Sequence, residues 1–292
     1  SSARAFRTYT VDFIEDRFSE RRYVQDVTAA VPVVPSFVVP DLERFEETFV
    51  RLLWHIEEPF RSLSQYSQIT IYDHIGQTRG ARVLLNGQGG DELFGGYTSH
   101  YFVRLAQLAA EGRCGQFARE ALSFARTRDQ SLIRIARRVR NELPEARREG
   151  GQYFNSVTYQ ELTASALREY LKYDDRTSMA YSREARPPFL DPRLVQFAFS
   201  LPSDLKIRGA ENKRVPRVYA RGIVPPSIVG RTDKMGFVSP QEEWQRGVLK
   251  FIAGLSDDEV REATSFGTQA ERDRAVERYR ARISGPLYDR ID

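Results

Sequence analysis

Two adjacent acids, Asp91 and Glu92, follow a run of glycines in the stretch RVLLNGQGGDELFGGY at 82–97. Val83, Leu84 and Leu85 read as a short apolar strand, Asn86 to Gly90 as a turn, and Asp91 onward as the start of a helix. Leu93, Phe94 and Tyr97 keep helical spacing after it. Glycines let a ligand approach the main chain closely. Free N–H groups at a helix start attract anions, and carboxylates there suit a hard cation such as Mg²⁺. At the carboxyl end of a strand, where open α/β sheets bind ligands, these residue types offer a phosphate and metal site. The plainer alternative is a glycine-rich turn whose acids only cap a helix.

Three further stretches carry candidate chemistry. YDDRTSMAYSREARPPFLDPR at 173–193 mixes acids and arginines with small residues and ends in a rigid Pro-Pro turn. It reads either as site residues (Arg183, Glu184, Arg186) or as an ion-pair network that fixes a loop, with Met179, Phe189 and Leu190 packing. RTDKMGFVSP at 231–240 places Lys234 before a Gly-Phe turn. A lysine there is either solvated or aimed at charge developing on a phosphate or acyl group. Glu58, before Pro59 in WHIEEPF, is either a substrate-facing carboxylate or a helix stop. His55, His74 and His100 have no metal-ligand spacing, and neither G-x-x-x-x-G-K-[ST] nor G-x-S-x-G occurs in the chain.

The elements that must hold these residues follow from periodicity. FRTYTVDF at 6–13 reads as a strand, 17–30 as a helix, and VPVVPSFVV at 31–39 as an edge or extended segment because of its prolines. Asp41 is placed to cap a helix over 42–56, with Phe45, Phe49, Leu52, Leu53 and Ile56 on its apolar face. Another helix is expected over 67–80, ahead of the strand at 82–86. This order argues for a parallel sheet flanked by helices. Residues 98–180 read as almost wholly helical, 181–193 as a loop, 194–201 as a short helix, 202–208 as a link, and 212–222, 240–254 and 258–283 as helices. The arginine-rich run at 134–148 reads as a solvated helix or a phosphate or partner surface.

Composition sets bounds. With 41% hydrophobic residues the chain can bury a core, and 44 basic against 40 acidic residues make no nucleic-acid signature. One cysteine, Cys114, excludes an internal disulfide and fits a reducing, cytoplasmic setting. No apolar run approaches the roughly 20 residues of a membrane span.

Taken in order, the segments resemble the synthetase domain of the glutamine-dependent asparagine synthetase family. That family's helix-opening motif, close to S-G-E-G-A-D-E-L-F-G-G-Y, stands here as NGQGGDELFGGY at 86–97. Its later motif, E-D-R-x-S-M-A-x-S-x-E-A-R-x-P-F-L-D, is similar to DDRTSMAYSREARPPFLD at 174–191, and KMGF at 234–237 resembles its lysine segment. EEPF at 57–60 and TYTVDF at 8–13 also look like family segments. The resemblance implies an α/β fold with a PP-loop ATPase core and a large helical extension. It treats 1–292 as one synthetase-like domain, with a nucleotide-binding core over 1–100 and a mainly helical part over 101–292. The implied reaction uses ATP and Mg²⁺ to activate a carboxylate as an acyl-adenylate, with attack by ammonia from glutamine turning aspartate into asparagine. On that reading Asp91 is a Mg²⁺ ligand, Asn86 and Gly87 contact the nucleotide, Val11 meets adenine, and Lys234 stabilises charge during adenylation. A glutaminase domain is the expected partner in a longer chain, and a homodimer is a further expectation.

Three departures shape the expectation. The family's S-G-G-x-D-S loop does not occur in the 292 residues; the resemblance places it just ahead of residue 1. The glutaminase part is likewise outside this sequence. Both point to a fragment of a longer protein, the alternative being a non-catalytic binding module. Gln88 stands where the family often has a glutamate beside the reacting acyl group. Glutamine orients a substrate by hydrogen bonds but is no general base. That keeps open a tailoring amidotransferase or a cyclase of the β-lactam synthetase or lasso-peptide type.

Overall fold

The computed structural model describes residues 6–13, 19–41, 44–58, 64–78 and 80–232. Lys234 and the helices expected over 240–254 and 258–283 lie outside them.

The alternating, β-rich first stretch forms strand β1 (Phe6–Val11), followed by helix α1 (Arg21–Ala30) and strand β2 (Val33–Val38). β1 and β2 pair in parallel, from Phe6↔Val33 to Val11↔Val38. Pro35 lacks a donor, and among the described residues β2 is an edge strand, where that loss goes unfelt. The two helices expected ahead of the next strand are present as α2 (Phe45–Ile56) and α3 (Ser64–Gln77). Phe45, Phe49, Leu52 and Ile56 recur at helical spacing and bury one face of α2 against Tyr66 and Ile69 of α3. The chain leaves α2 through Glu57, whose left-handed backbone (φ 61°) lets its N–H reach the carbonyl of Leu53.

Strand β3 (Val83–Leu85) runs into the glycine turn and then into α4 (Gly90–Phe94). This helix is only five residues long, because Gly95 turns left-handed (φ 73°) and closes it. Tyr97 therefore stands off the helix of Leu93 and Phe94. It caps the next one, α5 (Thr98–Ala110), with its N–H donating to His100 Nδ1 at 3.3 Å.

The helical expectation for 98–180 holds. Helices α6 (Cys114–Arg128), α7 (Leu132–Glu149), α8 (Tyr153–Ala164) and α9 (Ala166–Met179) follow α5. Tyr101, Leu105, Leu108, Phe124, Ile135 and Phe154 form one core there. The solvated reading of the arginine run fits α7, where Arg134, Arg137, Arg138 and Arg140 are exposed and Ile135, Val139 and Ala146 face inward.

Residues 181–193 depart from the expected loop. Glu184–Arg186 is strand β4, pairing in parallel with β3 from Val83↔Glu184 to Leu85↔Arg186. Helices α10 (Pro192–Ser200), α11 (Ser203–Lys206), α12 (Arg214–Ala220) and α13 (Pro226–Val229) complete the described chain, so the expected link at 202–208 contains a helical turn. Met179 is 55% exposed and does not pack as expected, whereas Phe189 packs against Phe94. Among the described residues the strands thus form two separate two-stranded parallel sheets, and α9 joins the α/β part by packing its Tyr173 into the α2–α3 core.

Candidate active site

The two sheets are separated by a cleft of about 1110 Å³. Phe6 to Tyr9 of β1 line one wall, Val83 to Gln88 of β3 and its turn line another, and Lys213, Pro216 and Arg217 close the far side. Asn86, Gly87, Gln88 and Asp91 all face this one cleft. Val11 is buried at the end of β1 and lies outside the lining residues.

The turn is built from its own main chain. Gly89 holds φ +88°, and a Cβ there would sit 2.3 Å from Leu190 Cδ2, so only glycine lets the 3₁₀ turn Pro188–Leu190 seat against it. Asn86 N–H donates to the carbonyl of Arg186 on β4 at 3.1 Å, and Gln88 N–H donates to Asn86 Oδ1 at 3.2 Å. The half-buried Gln88 is thereby presented at the cleft.

Asp91 is held by a residue that sequence reasoning did not single out. Lys213 Nζ lies 3.0 Å from Asp91 Oδ1. Lys213 caps α12 in a left-handed conformation (φ 50°, ψ 40°), which is uncommon for lysine. The Lys213 N–H donates to Phe94 O at 3.1 Å, and Asn212 Nδ2 donates to Gly96 O at 2.9 Å. Gly96 makes the room: a Cβ on it would fall 1.6 Å from Asp91 Oδ1 and 2.4 Å from Lys213 Cε. With Asp91 and Lys213 only 26% and 35% exposed, carboxylate and ammonium neutralise each other at the cleft edge.

The neighbouring acid plays another part. Glu92 is buried and accepts from the Tyr97 hydroxyl at 2.5 Å. Burial, then the Glu92 carboxylate, push the Tyr97 phenol well above its ordinary range, so it remains a donor. Glu92 is thus structural, and Asp91 is the acid of the pair that faces the cleft.

A second carboxylate lines the cleft from α9. Asp174 is 3% exposed and accepts from Tyr72 OH at 2.5 Å, from Gln68 Nε2 at 2.6 Å and from Asn86 Nδ2. Burial raises its pKa, against the three hydrogen bonds that lower it. In sequence it was one of two adjacent acids in a charged run. Its partner Tyr72 lies 102 positions away, so although Asp174 opens the motif at 174–191, its contact with the turn was not visible there.

Other candidates sit elsewhere. Glu58 pairs with Lys172 at 2.7 Å and Glu57 with Arg176 at 2.8 Å, which ties the end of α2 to α9 and favours the helix-stop reading. Glu184 and Arg186 pair with each other on the surface at 2.7 Å, and Arg183 reaches the carbonyl of Ile75. Among the described residues no group of three or more His, Cys, Asp or Glu side chains could hold a metal by itself. Asp91 offers one hard oxygen donor, which suits Mg²⁺ carried by a nucleotide, because phosphates and water supply most of its ligands.

Comparison with known proteins identifies the family. Asparagine synthetase (glutamine-hydrolyzing) 1 of Bacillus subtilis (strain 168) is 24% identical over 282 residues, covering 84% of this chain and 44% of that protein. Asparagine synthetase (glutamine-hydrolyzing) 3 of the same organism is 32% identical over 78 residues, or 27% of this chain and 13% of the relative. The Mus musculus asparagine synthetase (glutamine-hydrolyzing) is 29% identical over 109 residues, or 34% and 19%. The chain spans less than half the length of these relatives. The sequence profile of the asparagine synthase family matches residues 1–284, and the chain belongs to that family.

Proposed function

We propose that this chain is the synthetase part of an ATP-dependent, amide-forming ligase, within a domain that spans 1–292 and carries its nucleotide-binding core over 1–100. The observation that carries the reading is the convergence of Asn86, Gly87, Gln88 and Asp91 on one cleft, with Lys213 beside Asp91. In the proposed reaction a substrate carboxylate attacks the α-phosphorus of ATP, giving an acyl-adenylate and releasing pyrophosphate. Ammonia derived from glutamine then attacks the acyl carbon, AMP leaves, and one proton is lost. With aspartate as the acyl substrate the product is asparagine.

The residues take distinct roles. Asn86 and Gly87 hold the nucleotide through the turn's polar groups; Val11, which the family resemblance assigns to the adenine, has its side chain buried outside the cleft lining and would meet the base only through its main chain. Asp91 binds the Mg²⁺ that accompanies the phosphates. Lys234 offsets charge that develops during adenylation. Gln88 orients the acyl group by hydrogen bonding. Further sequence in the parent protein supplies the glutaminase partner, and a homodimer is compatible with this arrangement.

A second reading keeps the chemistry and changes the acceptor: an amine on the substrate attacks, as in a tailoring amidotransferase or cyclase. Gln88, an amide where the family often has a carboxylate, favours it.

Carboxylate-dependent pyrophosphate release tests the first step. Asp91→Asn and Lys234→Ala are each expected to lower the rate by at least about 100-fold, the scale of losing one electrostatic contact to the transition state. Wild-type turnover in both variants would remove the site assignment. A product assay with aspartate plus glutamine or ammonia separates the acceptors: robust asparagine formation excludes the second reading.

A further inference from the structure

The acid that anchors the glycine turn is not in the turn. Asp174 reaches it from α9 and, among the described residues, accepts three hydrogen bonds, all from neutral groups: Tyr72, Gln68 and Asn86. A buried carboxylate costs more than a buried amide or hydroxyl, and burial does raise this one's pKa. Its distinguishing property is that an ionised carboxylate only accepts. The Asn86 side chain must therefore turn its NH₂ toward Asp174 and its Oδ1 away. That oxygen is the one to which the Gln88 N–H donates, at 3.2 Å. An amide or hydroxyl at position 174 would satisfy Asn86 in either orientation and leave the turn undecided.

We propose that Asp174 is a positioning residue: by fixing the amide orientation of Asn86 it sets the turn that presents Gln88 to the cleft. What the turn then binds rests on the function proposed above; the orientation itself does not.

The test therefore has two arms. In the first, side-chain and main-chain amides of the ligand-free protein are followed by ¹⁵N NMR. Asp174→Asn is expected to shift the Gln88 main-chain amide and to move the Asn86 side-chain amide toward the position of a free asparagine. In the second arm, kcat for pyrophosphate release is expected to fall by about 10-fold or more, with KM for ATP changed less than about threefold and the melting temperature held within a few degrees. If Asp174 acts through Asn86, Asp174→Asn added to Asn86→Ala costs no further activity, since coupled residues are non-additive.

Unmoved Gln88 and Asn86 amides would overturn the proposal, as would additive losses or a loss explained wholly by a lower melting temperature. Absence of pyrophosphate release from the wild type would remove the proposed function and leave the NMR arm to decide this one. Should Asp174→Asn fail to fold, Asp174→Leu combined with Tyr72→Phe removes the acid together with one donor, and the same Gln88 shift is expected.

Discussion

Gly96 is the residue at which the backbone and the cleft compete for one space. A methyl group there overlaps both Asp91 Oδ1 and Lys213 Cε, and Asn212 Nδ2 pins the Gly96 carbonyl. Gly96→Ala is expected to destabilise the fold by about 1–3 kcal/mol, the usual cost of overpacking, and to separate the ion pair. Urea denaturation measures the first effect, and an unchanged midpoint would mean that the ends of the Asp91 and Lys213 side chains swing aside without strain. The ion pair itself contributes little stability, since both partners are partly exposed; its value is placement. At this scale Asn86 and Asp91 were legible, because glycines and adjacent acids mark a turn entering a helix. Lys213 was not: in sequence it is one lysine among many charges, and only the fold brings it to the acid.

At the scale of elements, α11 carries the clearest energetic anomaly. Lys206 is fully buried, donates to Asn155 Oδ1 at 2.8 Å and stands 4.7 Å from the Phe199 ring centroid, with no carboxylate paired to it among the described residues. Burial lowers its pKa to about 8. An unfolded lysine titrates near ~10.4. Below pH ~8 both states hold the proton, and the native state bears the full cost of a buried charge. As pH rises from ~8 toward ~10.4 the native lysine gives up its proton while the unfolded one keeps it, so stability rises across that window, by on the order of 3 kcal/mol. Lys206→Met is expected to be more stable than wild type at neutral pH and to lack this rise. Denaturation of both proteins at neutral and alkaline pH checks it, and parallel curves would show that Lys206 is not buried as a cation. The elements also show where sequence reading stops. The long periodic helices and the start of β1 were legible from alternation and helical spacing. β4 was not, because three residues between a polar loop and two prolines carry no period, and the strand exists only because β3 lies beside it.

Across the whole molecule, the strands facing the cleft are β1 and β3, each paired on one side only among the described residues. They carry exposed apolar side chains: Phe6 at 78% and Leu85 at 71%. Open apolar edges are templates for pairing with another strand, and lysine is the usual block. Leu85→Lys is expected to reduce concentration-dependent association of this chain, read by sedimentation velocity; identical profiles would clear that edge of the role. The parallel pairing of β1 with β2 was legible from the alternation of strands and helices, and the pairing of β3 with β4 was not. Their division into two sheets was not, since it is a fact about neighbours and not about any segment.

The hydrogen bonds of the cleft span long stretches of chain. Asn86 and Asp174 are 88 positions apart and Tyr72 and Asp174 are 102, while α5 to α8 follow one another and pack among themselves. Closing a loop costs entropy that grows with its length, and non-local contacts form slowly for that reason. The helical region can gain its shape early from near neighbours. Loop-closure entropy predicts that the turn that carries Gln88 gains its fixed geometry only after α9 has returned to α3. The expected order of folding thus puts the motif that is easiest to read among the last to take form.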